Sequence, residues 1–191
     1  MSERLNVYRL MPANWDDIAG WDRYYEAFCA AGLHLDRMTL GMDWMMHAAR
    51  FLKMLVQQGW RKIWLPGCGV TLAPHIYAAL GFDVWASDAS PVAIAVQEEL
   101  RASVASRLNI AEIAAQHLPP DRLPPTPGQL HLAVHDFREP FVEDGFDGVY
   151  NIKSFQGLPL DSMKRAARSH YAALKPGRQA IFSTMNVQGT L

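Results

Sequence analysis

The chain has 191 residues, half of them hydrophobic, with 18 basic side chains against 19 acidic ones, so it suits one compact domain with a substantial core. A formal charge of −1 supplies no field to draw nucleic acid or an anionic membrane, which leaves small molecules as the expected substrates. Cys29 and Cys68 are too few for a disulfide framework, no apolar run approaches the roughly 20 residues that cross a bilayer, and Met-Ser-Glu-Arg-Leu-Asn lacks the core of a secretion signal, so the expected setting is cytoplasmic.

Residues 14–58 are rich in aromatics and methionines. Met38, Met42, Met45, Met46, Ala49, Leu52 and Leu55 recur at helical intervals until Gly59 interrupts them. This pattern predicts a helical layer over residues 1–60, packed on a core of residues 61–191, and the methionine stripe reads as core packing.

Arg61 to Pro91 is the most informative stretch. Ile63, Trp64 and Leu65 form an apolar run suited to a buried strand, and Gly67 and Gly69 permit a sharp turn where a side chain would collide with a ligand. Thr71 is expected to cap a helix with Leu72, Ile76, Ala79 and Leu80 on one face, Pro74 in its first turn and Gly81 as its stop. Phe82, Val84 and Ala86 then alternate into a second strand that ends at Asp88. That acid lies 19 positions after Gly69, close to the roughly 20-residue interval at which a carboxylate meets ribose hydroxyls in α/β nucleotide folds.

Ser90-Pro91 opens another helix carrying Val92, Ala95, Val96 and Leu100, and the proline cluster from Pro119 to Gly128 reads as a surface loop. Leu130, Leu132 and Val134 begin a third strand ending near Asp136. Phe146 to Ile152 forms a fourth, Asp161 to Leu174 an amphipathic helix, and Lys175-Pro-Gly177 a stop before a fifth strand from Gln179 to Thr184. The alternation predicts an α/β, Rossmann-like, mainly parallel sheet with helices on both faces, and ligands beyond the carboxyl ends of its strands. Gly67, Asp88, Asp136 and Asn151 all fall at such ends.

Other chemistry is less well supported. Cys68 beside a helix N-terminus can be read as a nucleophile, but no His or Asp partner is placed for it, so a small loop residue is the simpler reading. His131 and His135 share a strand face and can be combined with Asp136 or His117, yet no ligand set is complete and no metal is expected. A dinucleotide fingerprint would want glycine where Leu72 stands, which disfavours a nicotinamide oxidoreductase. A nucleoside bearing an amino-acid tail, such as S-adenosylmethionine, uses several strand ends at once.

Leu65-Pro-Gly-Cys-Gly69, Asp88-Ala-Ser-Pro91, His135-Asp-Phe137, Phe146 to Pro159, Trp21-Asp-Arg-Tyr24 and Leu174-Lys-Pro-Gly177 together resemble class I S-adenosylmethionine-dependent methyltransferases. Within them the likeness is to the thiopurine and thiol/halide methyltransferase group. The resemblance implies that Leu65, Gly67, Cys68 and Gly69 surround the methionine part and that Asp88 with Ala89 meets the ribose. Asp136 and Phe137 would meet the adenine, Asn151 and Ile152 would form the pocket floor, and Trp21 would cover the cofactor. It also implies methyl transfer to a small soft acceptor, with no catalytic residue assigned. The alternative is a noncatalytic methyltransferase-like binding or regulatory protein. Family members continue through a helix and two strands after the fifth, so an exposed fifth-strand edge is expected here, covered by a second copy or a protein partner.

Overall fold

The structure, a computed structural model, describes residues 8–32, 49–104 and 126–183. Their elements are a 3₁₀ turn Tyr8–Leu10, α1 Ile18–Ala30, α2 Ala49–Gln58, β1 Lys62–Pro66, α3 Ala73–Ala79, β2 Asp83–Asp88, α4 Pro91–Val104, β3 Leu130–Val134, β4 Phe146–Ile152, α5 Leu160–Ala173 and β5 Leu174–Ser183. The methionines at 38, 42, 45 and 46, residues 119–125 of the proline cluster and His117 lie outside the described residues.

The strands form one sheet in the order β3-β2-β1-β4-β5, and every pairing is parallel. The chain reverses its direction of sheet growth between β1 and β4, which is where such sheets open a crevice at their carboxyl ends. Alternation along the strands divides the core in two. Ile63, Leu65, Val84, Ala86 and Tyr150 pack on the first face with Leu52 and Leu55 of α2, Ile76 of α3 and Ala93 of α4. Trp64, Phe146 and Val149 point to the second face, against Ala166 and Ala173 of α5.

Local chemistry explains the ends of these elements. Gly59, at φ +64°, terminates α2, and the following Trp60 amide donates back to the Leu55 carbonyl at 2.9 Å. Two boundaries differ from expectation. Thr71 does not cap α3: Leu72 occupies the N-cap without a side-chain bond, while the Thr71 hydroxyl donates to the Cys68 carbonyl at 3.1 Å and tightens the turn before it. Lys175-Pro-Gly177 is also no separate turn, because Leu174 is already extended and pairs with Phe146 as the first residue of β5.

That segment is instead a bulge, since the register resumes only at Gly148 with Gln179. Asp147 organises it. Its Oδ1 accepts from Lys175 Nζ at 2.8 Å, and its Oδ2 accepts from the Arg61 and Lys62 amides at 2.9 and 3.0 Å. Burial alone would raise this carboxyl, but those donors bring it below its ordinary value.

His170 of α5 is fully buried on the second face, in an aromatic surround of Trp64, Phe137, Phe155 and Phe182 with ring centroids 5.2 to 6.4 Å away. Neither ring nitrogen has a hydrogen-bond partner of ordinary geometry. Burial pushes its pKa down to about 4, and the Ala166 carbonyl one turn earlier offsets only part of that shift. A folded-state pKa below the unfolded value of about 6.5 makes this group stabilising above that pH, with the contribution lost as pH falls toward 4. His170→Phe is therefore expected to flatten the loss of stability between pH 6.5 and 4 by up to ~3 kcal/mol, read as the difference between the urea midpoints of the two proteins.

Candidate functional site at the carboxyl ends of the strands

The turn after β1 is held in place by the end of β2. Gly67 and Gly69 have φ of +62° and +53°, a region that disfavours other residues. The Cys68 amide donates to the Ser87 carbonyl at 3.0 Å, and the Gly69 amide donates to Asp88 Oδ2 at 2.9 Å. Asp88 Oδ1 accepts from the Ser90 amide at 2.9 Å, and the Asp88 carbonyl accepts from the His135 amide at 2.8 Å. One residue thus joins the glycine turn, the start of α4 and the end of β3.

Asp88 is 8% exposed. Burial pushes its pKa up to about 6 against the pull of the Ser90 and Gly69 amides, and the nearby Asp22 and Asp136 charges add to the rise. Burial, reinforced by the Asp88 charge, also raises the Cys68 thiol and the Tyr25 hydroxyl, so both stay protonated near neutrality. Cys68 accordingly lacks the electropositive surroundings of a reactive thiolate.

The sequence-predicted residues divide among the strand ends. Leu65, Gly67, Cys68 and Ile152 line a narrow crevice with Pro66, Thr71, Pro74 and Tyr150. Asp88 and Ala89 end β2, and Asp136 and Phe137 follow β3. Phe137 reaches the glycine turn: a Cβ at Gly67 would meet Ser154 and lie 3.1 Å from the Phe137 ring. Asn151 is fully buried at the end of β4. Its Oδ1 accepts from Ser154 Oγ at 2.6 Å, and its Nδ2 has no partner. Asp136 is bonded to Arg138, and this pairing holds its carboxyl below the ordinary value although burial alone would raise it. Trp21 lies in α1, where it donates Nε1–H to the Trp15 carbonyl at 3.2 Å and stacks on Tyr25 at 5.7 Å.

Several participants carry no sequence signal of their own. Tyr25 extends from α1 over the glycine turn, its hydroxyl 2.9 Å from where a Gly69 Cβ would stand. Asp22, one turn earlier, accepts from the Ser90 hydroxyl. Gln97 of α4 is fully buried; its Nε2 donates to the carbonyls of Gly69 and Thr71, each at 2.8 Å. With both amide hydrogens so used, its Oε1 must accept from His75 Nε2 at 2.8 Å, which assigns that tautomer. The spacing of Tyr25 from Trp21 on one helix was the one available clue; Gln97 looked like any other polar helix residue.

His131 pairs with Asp83 at 3.0 Å and stacks on Trp85, while His135 faces the Glu139 carbonyl. Among the described residues no group of three or more His, Cys, Asp or Glu converges as a metal site.

No protein-family profile and no curated protein matches the sequence. Solved structures do match. Magnesium protoporphyrin IX methyltransferase from Synechocystis PCC 6803, crystallised with bound S-adenosylhomocysteine, superposes with a TM-score of 0.57 at 14% identity over 82% of this chain and 68% of that one. The fold is that of S-adenosylmethionine-dependent methyltransferases. The sugar N-methyltransferase KedS8 from Streptoalloteichus sp ATCC 53650 gives a TM-score of 0.52 at 18% identity, over 76% and 51% of the two chains. A protein from Pyrococcus horikoshii OT3 gives 0.56 at 19%, over 74% and 54%. The chain thus spans about half the length of several structures it matches.

Gln97→Leu removes both donors and the acceptor at once, and is expected to destabilise the protein by about 2 to 4 kcal/mol. The same change should speed hydrogen exchange at the Cys68 and Gly69 amides, measured by mass spectrometry, more than at β4.

Proposed function

We propose that the chain binds S-adenosylmethionine at the carboxyl ends of β1 to β4 and transfers its methyl group to a small soft acceptor such as a thiol or halide. The observation that carries this reading is the buried Asp88 carboxylate, bonded to the Gly69 amide across the 19-residue interval noted from the sequence. Leu65, Gly67, Cys68 and Gly69 would surround the methionine part, Asp88 and Ala89 the ribose, and Asp136 and Phe137 the adenine. Asn151 and Ile152 would form the floor and Trp21 the cover, in one domain that would comprise an N-terminal helical layer over residues 1–60 and a Rossmann-like core over 61–191. The donors and acceptors present fit such a group: a carboxylate for hydroxyls, an aromatic ring beside a purine, and a buried Asn151 amide nitrogen without a partner.

The bound cofactor would supply an electrophilic methyl carbon already attached to its leaving group. The protein's part is to orient and to exclude water. Cys68 and Tyr25, beside the glycine turn, are held protonated. A thiolate or halide acceptor needs no general base, in keeping with the thiopurine-like reading. The crevice as it stands is too narrow for a small molecule, so ligand entry would require the side chains over the glycine turn, Tyr25 and Ser154, to yield. The same closure supports a second reading, a noncatalytic binding protein.

Calorimetric titration with S-adenosylhomocysteine, with NAD as control, tests the proposal. Saturable binding of the former alone is expected, followed by thiol-dependent turnover of S-adenosylmethionine. Binding without turnover of any thiol or halide favours the noncatalytic reading, and no binding overturns the enzyme reading and leaves the noncatalytic one in its place.

Asp88→Ala should cost about 1.5 to 3 kcal/mol of binding free energy in the same titration. Ribose hydroxyls donate to the ionised carboxylate, so affinity should rise with pH through about 6 in the wild type and lose that dependence in the variant.

A further inference from the structure

Gln97 of α4 is fully buried and joins α3 to the turn after β1. Its Nε2 donates both hydrogens to that turn, to the Gly69 and Thr71 carbonyls at 2.8 Å each. Its Oε1 lies 2.8 Å from Nε2 of His75 in α3, a side chain that is itself buried. Burial lowers the His75 pKa against the pull of the Gln97 bond, and the Arg101 charge adds to the fall, so the ring stays uncharged near neutrality with its hydrogen on Nε2.

The His75 donor settles which way round the Gln97 amide sits. Reversed, the amide would set its oxygen against two carbonyl oxygens and its NH₂ against the imidazole hydrogen. The two carbonyls it holds belong to the peptides 69–70 and 71–72. Gly69 has φ +53° and no side chain, so the peptide after it can rotate at little steric cost. The other bonds of the turn act on different groups: the Thr71 hydroxyl reaches the Cys68 carbonyl, while Ser87 and Asp88 hold the Cys68 and Gly69 amides. In a trans peptide the carbonyl also fixes the opposite direction of the following N–H, so Gln97 sets the Val70 and Leu72 amides as well.

We propose that Gln97, oriented by His75, is a positioning residue that holds both peptides of the glycine turn in one orientation and so sets how tightly the site takes the amino-acid part of its cofactor. The inference rests on the cofactor reading above, in which that turn surrounds the methionine part. Neither side chain touches the ligand in this scheme. Without the clamp the turn samples orientations in which a carbonyl oxygen has left Gln97, so only a fraction of the molecules is competent to bind, and affinity falls by that fraction. The adenosine part, proposed to lie at the ends of β2 and β3, loses nothing by it.

The test is calorimetric titration of the wild type and its variants with S-adenosylhomocysteine and with 5′-methylthioadenosine, in which a methyl group replaces the amino-acid chain on the sulfur. The wild type should bind the former more tightly. Gln97→Leu should cut that preference by about tenfold, the effect of a turn competent in about one molecule in ten. Gln97→Glu, which keeps the size and an acceptor for His75 but loses both donors, should do the same. His75→Phe should act in the same direction, and combining it with Gln97→Leu should add nothing, because His75 acts only through Gln97. Leu100→Ala, a buried change farther along the same helix, should weaken the fold and keep the preference. Equal weakening of both ligands in the folded Gln97 variants overturns the inference, as does a wild type with no preference or a Leu100→Ala that loses it as far. Should neither Gln97 variant fold, His75→Phe decides by the same ratio. A wild type that binds neither ligand overturns instead the cofactor reading on which the inference rests, and the wild-type arm alone shows it.

Discussion

The bond from the Gly69 amide to the Asp88 carboxylate is the constraint on which the rest of the site depends. It ties the turn after β1 to the end of β2, and the second Asp88 oxygen fixes the first turn of α4 through Ser90. Burying a carboxylate is unfavourable, and the raised pKa of Asp88 measures that cost. Two backbone donors offset part of it. Everything farther out inherits this geometry: Gln97 can reach the Gly69 and Thr71 carbonyls only because α4 starts where Asp88 and Ser90 place it.

The two faces of the sheet contribute differently. On the first, helices and aliphatic side chains give a dense support for the crevice. On the second, rings carry the load: Trp64 stacks on Phe141 at 4.5 Å, Phe155 meets Phe182 at 4.5 Å, and His170 fills the space among them as a neutral ring. Such planar contacts pass directly into the site through Phe137, which touches both His170 and the approach to Gly67. The loop after β4 belongs to the same unit. Lys153, at φ +58°, is the one non-glycine residue with positive φ among the described residues, and it introduces the turn that brings Ser154 onto Gly67.

The N-terminal layer is more than a cover for apolar surface. Tyr25 rests on Gly69, Asp22 accepts from Ser90, Asp16 pairs with Arg138, and Trp15 lies on Gly157. These four contacts fall on four separate stretches of the Rossmann-like core, after β1, β2, β3 and β4. The layer therefore closes the site from above while the strand ends define it from below.

Most strand positions, the parallel arrangement of the sheet and the glycine turn were legible in the sequence, whereas the strand order came only with the structure. Phe146 to Ile152 follows the turn at Glu143-Asp-Gly145, and β4 runs over just those residues. Gly67, Gly69 and Asp88 announce a turn and an acceptor at a set interval, and the two halves meet at 2.9 Å. The local reading failed where another bond took the group it relied on. Thr71 has the chemistry of a cap but spends its hydroxyl on the Cys68 carbonyl three residues earlier, and Lys175-Pro-Gly177 has the composition of a turn but is drawn into β5 by Asp147. By itself the sequence determined the periodic elements, their parallel arrangement and which backbone turn must be glycine, since each follows from neighbours within a few residues. Only the tertiary structure decided that Gln97 and Tyr25 meet the glycine turn, because their partners lie far away in the chain, and nothing in local periodicity encodes which distant backbone a polar side chain will meet.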